Sequence, residues 1–230
     1  MSAPHSRSEN IEKALIAKSN ETPWRDDRVR AALEPFRVAV APAQIHAMRR
    51  YANLLLQWNQ NVNLTSVTRP VEILERHFGE SMFAASAVPL EGGRLADVGS
   101  GAGFPGLALK IIRPELDLVL IEPNLKKSAF LAEVARVLEL RGVEILRGRF
   151  EELQRLTPPA DFITARAVGD LARLLRWSRR VLAEYGCVIL WLGAEDAQEL
   201  SQFPGWQWRE PIPMPNSRRR ILLIGQPEAD

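Results

Sequence analysis

The 230-residue sequence predicts an α/β fold: a doubly wound, mostly parallel sheet ending in an antiparallel hairpin, with a helical extension ahead of it. Three observations carry that prediction. From Gly93 onward, short apolar runs alternate with helical stretches, as in a parallel sheet covered on both faces. One strand-to-helix junction, Gly99 to Gly106, is rich in glycine. The last two strand-like runs are joined by Pro213-Met214-Pro215-Asn216-Ser217, which leaves no room for a crossover helix, so they must run antiparallel.

Taken in order, Met1 to about Asp27 is polar and lacks a sustained apolar period, and residues 1–40 are expected to form a loosely held segment. Residues 41–92 read as a helical extension and 93–230 as the sheet domain. A helix is predicted from Pro42 to about Asn59, because Ile45, Met48, Ala52, Leu55 and Leu56 share one face. Asn59, Asn61 and Asn63 supply turn chemistry after it. A second helix is predicted from about Pro70 to Ala87, with Thr68 as its cap and Leu74, Phe78, Met82 and Ala85 along one side. Predicted strands follow at Arg94–Val98, Leu118–Ile121, Val143–Leu146, Asp161–Ala165 and Cys187–Leu192. Between and after them, helices are predicted at Phe104–Ile112, Leu125–Leu140, Asp170–Glu184 and Ala194–Phe203. Trp206–Ile212 and Arg220–Ile224 form the closing hairpin.

Composition narrows the function classes. With 46% hydrophobic and 25% charged residues the chain is neither disordered nor collagen-like. No apolar run approaches the roughly 18–20 residues of a membrane span, and the N-terminus lacks the apolar core of a secretory signal. A single cysteine, Cys187, makes no internal disulfide, so a cytoplasmic location is expected. His5, His46 and His77 lie far apart, and no metal centre is expected. Net charge is only +2, yet 25 of the 30 cations are arginine. That excess suits phosphate contacts and base stacking, but arginine-rich codon usage explains it equally well.

The segment Asp97-Val98-Gly99-Ser100-Gly101-Ala102-Gly103-Phe104-Pro105-Gly106 is the most informative. Glycines let a backbone turn sharply and approach a ligand, and a loop of this kind sits at the carboxyl edge of a doubly wound sheet. Residues 101–106 satisfy the dinucleotide pattern G-x-G-x-x-G, which alone is a weak signal. Three features argue against a pyrophosphate. Asp97 is expected to present a carboxylate to the pocket, Gly99 starts the turn two positions early, and no nicotinamide-side catalytic pair is evident. S-adenosylmethionine carries a sulfonium and an ammonium instead of phosphates, so a nearby carboxylate attracts it. Glu122, at the end of the next strand, can accept hydrogen bonds from ribose hydroxyls, or can serve as a helix-entry acid near Asn124. Phe150 and Glu151 can flank an adenine, or can be a core aromatic and a solvated acid.

With these residues in view, the chain resembles the RsmG (GidB) family of bacterial, S-adenosylmethionine-dependent, class I (Rossmann-like) methyltransferases, which methylate N7 of one guanine in small-subunit (16S) ribosomal RNA. The likeness spans roughly Tyr51 to Gly193. It rests on Trp58-Asn59 with Asn63-Leu64-Thr65, Arg76-His77 with Glu80-Ser81, and the loop from Asp97 to Gly106. It continues through Glu122, Lys126-Lys127, Phe130-Leu131, Arg149-Phe150-Glu151 and Arg166-Ala167. The resemblance implies that Gly99 and Phe104 touch the methyl donor, together with the rest of the loop (Asp97, Gly101, Gly103). It implies further that Glu122 holds the ribose, that Phe150 and Glu151 flank the adenine, and that Arg166 lies where cofactor meets substrate. Where the family usually has Asp, a small residue and Lys, this chain has Glu80, Phe150 and Leu192.

This chemistry needs little acid–base machinery. Guanine N7 has an in-plane lone pair and no proton to remove, so alignment of nucleophile, methyl and sulfur can carry the rate. Arg166 is the expected catalytic residue, since arginine reads guanine O6, although a helix-end salt bridge is the plainer role. Lys126, Lys127, Arg76 and His77 are expected on the substrate side. Histidine on an apolar helix face is also a common interior residue, and cations at a helix start need an anionic partner. Cys187 is expected to be inert packing. Candidate RNA-facing patches are Arg147/Arg149/Arg155, Arg173/Arg176/Arg179/Arg180 and Arg218–Arg220, each of which can equally be solvated surface. The implied partner is 16S ribosomal RNA, the small subunit or its assembly intermediate, met by a monomer away from membranes. A class I methyltransferase acting on a small molecule or protein, and a non-catalytic nucleotide-sensing module, are the competing readings.

Overall fold

A computed structural model describes residues 24–228. Its sheet has the strand order β3-β2-β1-β4-β5-β8-β6, with β7 also paired to β8. The strands are β1 (Arg94–Val98), β2 (Asp117–Ile121), β3 (Val143–Leu146), β4 (Ala160–Arg166), β5 (Leu182–Gly193), β6 (Trp206–Trp208), β7 (Ile212–Pro213) and β8 (Arg220–Pro227). Strands β1 to β5 are mutually parallel, while β8 runs antiparallel to β5 and to β6 and β7. The predicted run Trp206–Ile212 is broken into β6 and β7 at Glu210-Pro211, where proline lacks the N–H that a ladder needs.

The helices are α1 (Asp26–Leu33), α2 (Pro42–Asn59), α3 (residues 70–87), α4 (Gly106–Ile112), α5 (Leu125–Val137), α6 (Leu171–Val181) and α7 (Ala194–Leu200). Asn124 caps α5 by accepting from the backbone of Lys126 and Lys127 at 3.0 and 3.1 Å. Asp170 caps α6 by accepting from the backbone of Arg173 at 2.9 Å. Helix α5 stops at Val137, three residues short of the predicted end, because the chain turns left-handed at Glu139. Helix α3 begins at Pro70, but its N-cap is Arg69 with no side-chain bond, and Thr68 does not cap it. Within α3 the segment Ile73–Gly79 widens to a π-helix, which carries Arg76 and His77.

Alternation along the strands divides the core. Leu95, Leu118, Leu120 and Ile189 face α1 to α5, whereas Ala96, Val98, Ile163 and Leu190 face α6 and α7. The expected loose segment over 1–40 needs correction. Residues 1–23 lie outside the described residues, but 24–40 are folded, with Trp24, Val29, Leu33, Phe36 and Val40 buried in the first of these cores. Val29, Leu33 and Phe36 follow helical spacing, which the charged residues between them disguise.

Candidate active site

In the order β3-β2-β1-β4 the chain adds strands on one side of β1 and then on the other, so the switch point lies between β1 and β4, and the glycine loop leaves the end of β1 at that point. The loop is zipped to the neighbouring strand. The amides of Gly99 and Ser100 donate to the Ile121 carbonyl at 2.9 and 3.2 Å. Glu122 grips it from the end of β2: one carboxylate oxygen accepts from Gly101 N at 2.8 Å and the other from Asn124 N at 2.9 Å. Gly103 sits where no side chain fits, since a Cβ there would fall 2.3 Å from the Tyr51 hydroxyl and 2.5 Å from Leu107. Tyr51, from α2, donates its hydroxyl proton to the Ala102 carbonyl and so ties the loop to the helical extension.

Asp97 does not present its carboxylate to the cleft, contrary to the sequence expectation. Strand alternation turns it to the same face as Leu95, where it is 1% exposed. There Thr164 Oγ1 donates to one oxygen at 2.8 Å and the Gly106 amide to the other at 3.3 Å. Burial pushes its pKa up to about 7, against the lowering pull of these donors and of Ser100, with the Glu122 charge adding to the rise. Its role is to brace the loop from beneath.

A cleft of about 320 Å³ opens along the carboxyl ends of the strands, within the range of small-ligand sites. Gly99 forms one wall, Phe150 and Glu151 follow β3, and Val168 and Asp170 follow β4. Gly99 has a left-handed φ of 69°, and a Cβ there would sit 3.5 Å from Val168, across the space a ligand would enter. The fit to an adenosine-bearing donor is good: an open backbone at Gly99, an aromatic ring at Phe150, and carboxylates at Glu151 and, beside the loop, Glu122. Phe150 also meets Trp177 edge-on at 5.4 Å.

Not every predicted residue lines this cleft. Gly101 and Gly103 shape the loop, and Phe104 lies in an aromatic stack, with its ring 5.0 Å from Tyr51 and 4.6 Å from His77. His77 is an interior histidine. Its Nε2 and Thr65 Oγ1 are 2.9 Å apart, and burial, with Arg166 and Arg76 nearby, pushes its pKa down to about 3, so it stays neutral. Arg76 is exposed on the same turn. Lys126 and Lys127 open α5 just beyond Pro123, which lines the cleft. No group of three or more histidine, cysteine, aspartate or glutamate side chains among the described residues could hold a metal ion.

Arg166 ends β4 beside the cleft. Its Nη1 donates to the Arg76 carbonyl at 2.8 Å and its Nη2 to Glu80 at 3.2 Å. The other oxygen of Glu80 lies 2.8 Å from Arg220 Nη2, and the Glu80 carbonyl accepts from Trp191 Nε1 at 2.8 Å. The sequence assigned no role to Glu80, Tyr51 or Thr164, and placed Arg220 only in a candidate RNA-facing patch, without its link to Glu80. One signal was present for Glu80: an acid inside the run from His77 to Ala84, all of it buried. For the pairing of Arg220 with Glu80 there was none, because the partners are 140 residues apart.

A glycine loop clamped by an acid from β2, at the switch point of a parallel sheet that closes with an antiparallel strand, defines a class I methyltransferase fold. A solved methyltransferase from Aquifex aeolicus, described as S-adenosylmethionine-dependent, shares it with a TM-score of 0.57 at 16% identity, over 71% of this chain and 96% of that one. The family described as "GidB: rRNA small subunit methyltransferase G" matches residues 44–206, and the chain belongs to it. The relative from Roseiflexus sp. (strain RS-1), named ribosomal RNA small subunit methyltransferase G, is 38% identical over 192 residues, covering 79% of this chain and 82% of its own. The relative of the same name from Halorhodospira halophila (strain DSM 244 / SL1) is 36% identical over 174 residues, covering 75% and 80%. The chain is an enzyme of the methyltransferase class.

Proposed function

We propose that the protein transfers the methyl group of S-adenosylmethionine to N7 of a guanine in small-subunit (16S) ribosomal RNA. Family membership supplies the reaction class and the kind of RNA. The observation that carries the base is Arg166, fixed at the end of β4 by the Arg76 carbonyl and Glu80, with its remaining donors free for an acceptor such as guanine O6.

When bound, S-adenosylmethionine supplies a methyl carbon whose bond to sulfur breaks as the bond to N7 forms, leaving a neutral thioether and a positive charge on the base. The protein therefore need not remove a proton. Gly99 and the cleft walls fix the donor, Glu122 keeps the loop in place, and Phe150 and Glu151 hold the adenine. Arg166 orients the base through O6 and leaves the N7 lone pair free to attack the methyl carbon. Neutral His77 supports the loop from behind through Phe104 and adds no charge beside the developing cation. The working partner is the small subunit or its assembly intermediate, met by a monomer in the cytoplasm. Among the described residues no helix is long and apolar enough to cross a membrane.

The test is transfer of labelled methyl from S-adenosylmethionine to undermethylated small subunits, followed by mapping of the modified nucleotide. Label at guanine N7 is expected. Label on protein, on a small molecule, or at another RNA position would overturn the reading.

A further inference from the structure

Glu80 is unusual among the carboxylates described here in being buried with both oxygens on arginine side chains. Its side chain is only 2% exposed, yet those of Arg166 and Arg220 are 20% and 33% exposed. One buried negative charge thus holds two partly exposed guanidinium groups, and the Arg76 charge acts on Glu80 and Arg166. Glu75 also lies within electrostatic reach of Glu80, so Arg76, Arg166 and Arg220 face two carboxylates and the cluster keeps a surplus of one positive charge. Holding like charges together is unfavourable unless an anion joins them.

The donors left over point to the class of that anion. Arg220 spends Nη2 on Glu80 and Nε on Ser217 Oγ at 3.2 Å, which leaves Nη1 without a described acceptor. Arg166 likewise keeps its Nε and one hydrogen on each terminal nitrogen. Planar guanidinium groups with paired free donors match phosphate oxygens well. We propose that Glu80 is a positioning residue that holds Arg166 and Arg220 as one paired site for the target nucleotide, with Arg166 on guanine O6 and Arg220 on that nucleotide's phosphate. The proposal rests on the RNA reading above and adds Arg220 and Glu80 to it.

Arg220 enters from the start of β8, opposite Gly193 on β5, so the terminal hairpin serves the active site as well as closing the sheet. Trp191 fixes the Glu80 backbone from the neighbouring strand, which makes the pair a rigid feature instead of a surface ion pair between two mobile chains.

The experiment compares the whole protein with Arg220→Ala, Arg220→Lys and Glu80→Gln, using undermethylated small subunits as substrate. Calorimetry with S-adenosylmethionine runs in parallel. Arg220→Ala is expected to raise KM for the RNA on the order of tenfold, with a smaller change in kcat. It should also lower the slope of log affinity against log salt by about 0.7–0.9, the value of one phosphate contact. Arg220→Lys should recover part of the KM loss. Glu80→Gln should lower kcat as well, because Arg166 loses its anchor, while donor affinity stays within about twofold in all three variants. An unchanged KM and salt slope in Arg220→Ala, with wild type active on RNA, would reduce the pair to a structural bridge. An equal loss of donor binding in Arg220→Ala would show instead that it acts through the cofactor cleft. A wild type that binds the donor and leaves RNA unlabelled would overturn the function itself, a result distinguishable from either of the others.

Discussion

Asp97 shows how one side chain's surroundings set a pH response. Burial raises its pKa from 3.8 to about 7, so the unfolded chain releases this proton well before the folded one does. The stability this carboxyl contributes is complete below about pH 4 and is lost as pH rises through about 7. Asp97→Asn keeps an acceptor for Thr164 and abolishes the titration. Relative to that variant, the wild type should lose stability between pH 4 and 7 and level off above. Urea unfolding midpoints of the two proteins across this range measure it, and a pH-independent gap would show that the carboxyl titrates normally. His77 responds in the opposite sense. Its folded pKa of about 3 lies below 6.5, so it costs the native state stability as pH falls through that interval, equally in both proteins.

At the scale of elements, α1 and the turn after it close the core beside α3. Phe36 is fully buried, and its ring lies so near Gly79 that a Cβ on the glycine would come within 2.5 Å of it. Phe36→Ala should therefore cost about 3–5 kcal/mol, as large-to-small changes at well-packed aromatic sites do. Denaturant unfolding measures the loss. A cost below about 1 kcal/mol would mean that residues 24–40 are loosely attached, as their polar composition first suggested. That composition misled because α1 buries a narrow stripe, Val29 and Leu33, among charged residues that face solvent. The longer amphipathic α2 was legible to within a residue, since its apolar face, Ile45 to Leu55, repeats over about three turns.

For the molecule as a whole, the continuous strand pairing predicts that the central sheet opens as one cooperative unit, and Cys187 can report on it. The thiol is buried in β5, and burial pushes its pKa up to about 11, with Arg209 pulling weakly the other way. Alkylation by iodoacetamide near neutral pH should be very slow in the native protein and fast in urea. Its rate should follow the population of globally unfolded molecules. Rapid labelling without denaturant would mean that β5 opens independently of its neighbours. The two sides of the sheet have separate cores, one holding the N-terminal helices and one holding α6 and α7. The cleft lies at the carboxyl ends of β1 to β4, where the elements of both sides meet.

Local pattern was enough to place β1 and β3 to the residue and to single out the glycine loop, Glu122 and Phe150, while Arg166 drew notice through the family resemblance. Strand period, turn chemistry and glycine content act between neighbours in the chain, so one sequence displays them. Three features were settled only by folding: the face to which Asp97 turns, the Tyr51–Phe104–His77 stack behind the loop, and the meeting of Arg166, Glu80 and Arg220. Each depends on side chains 26 to 140 positions apart reaching one place, and no local period encodes which of many arginines will meet a given buried acid.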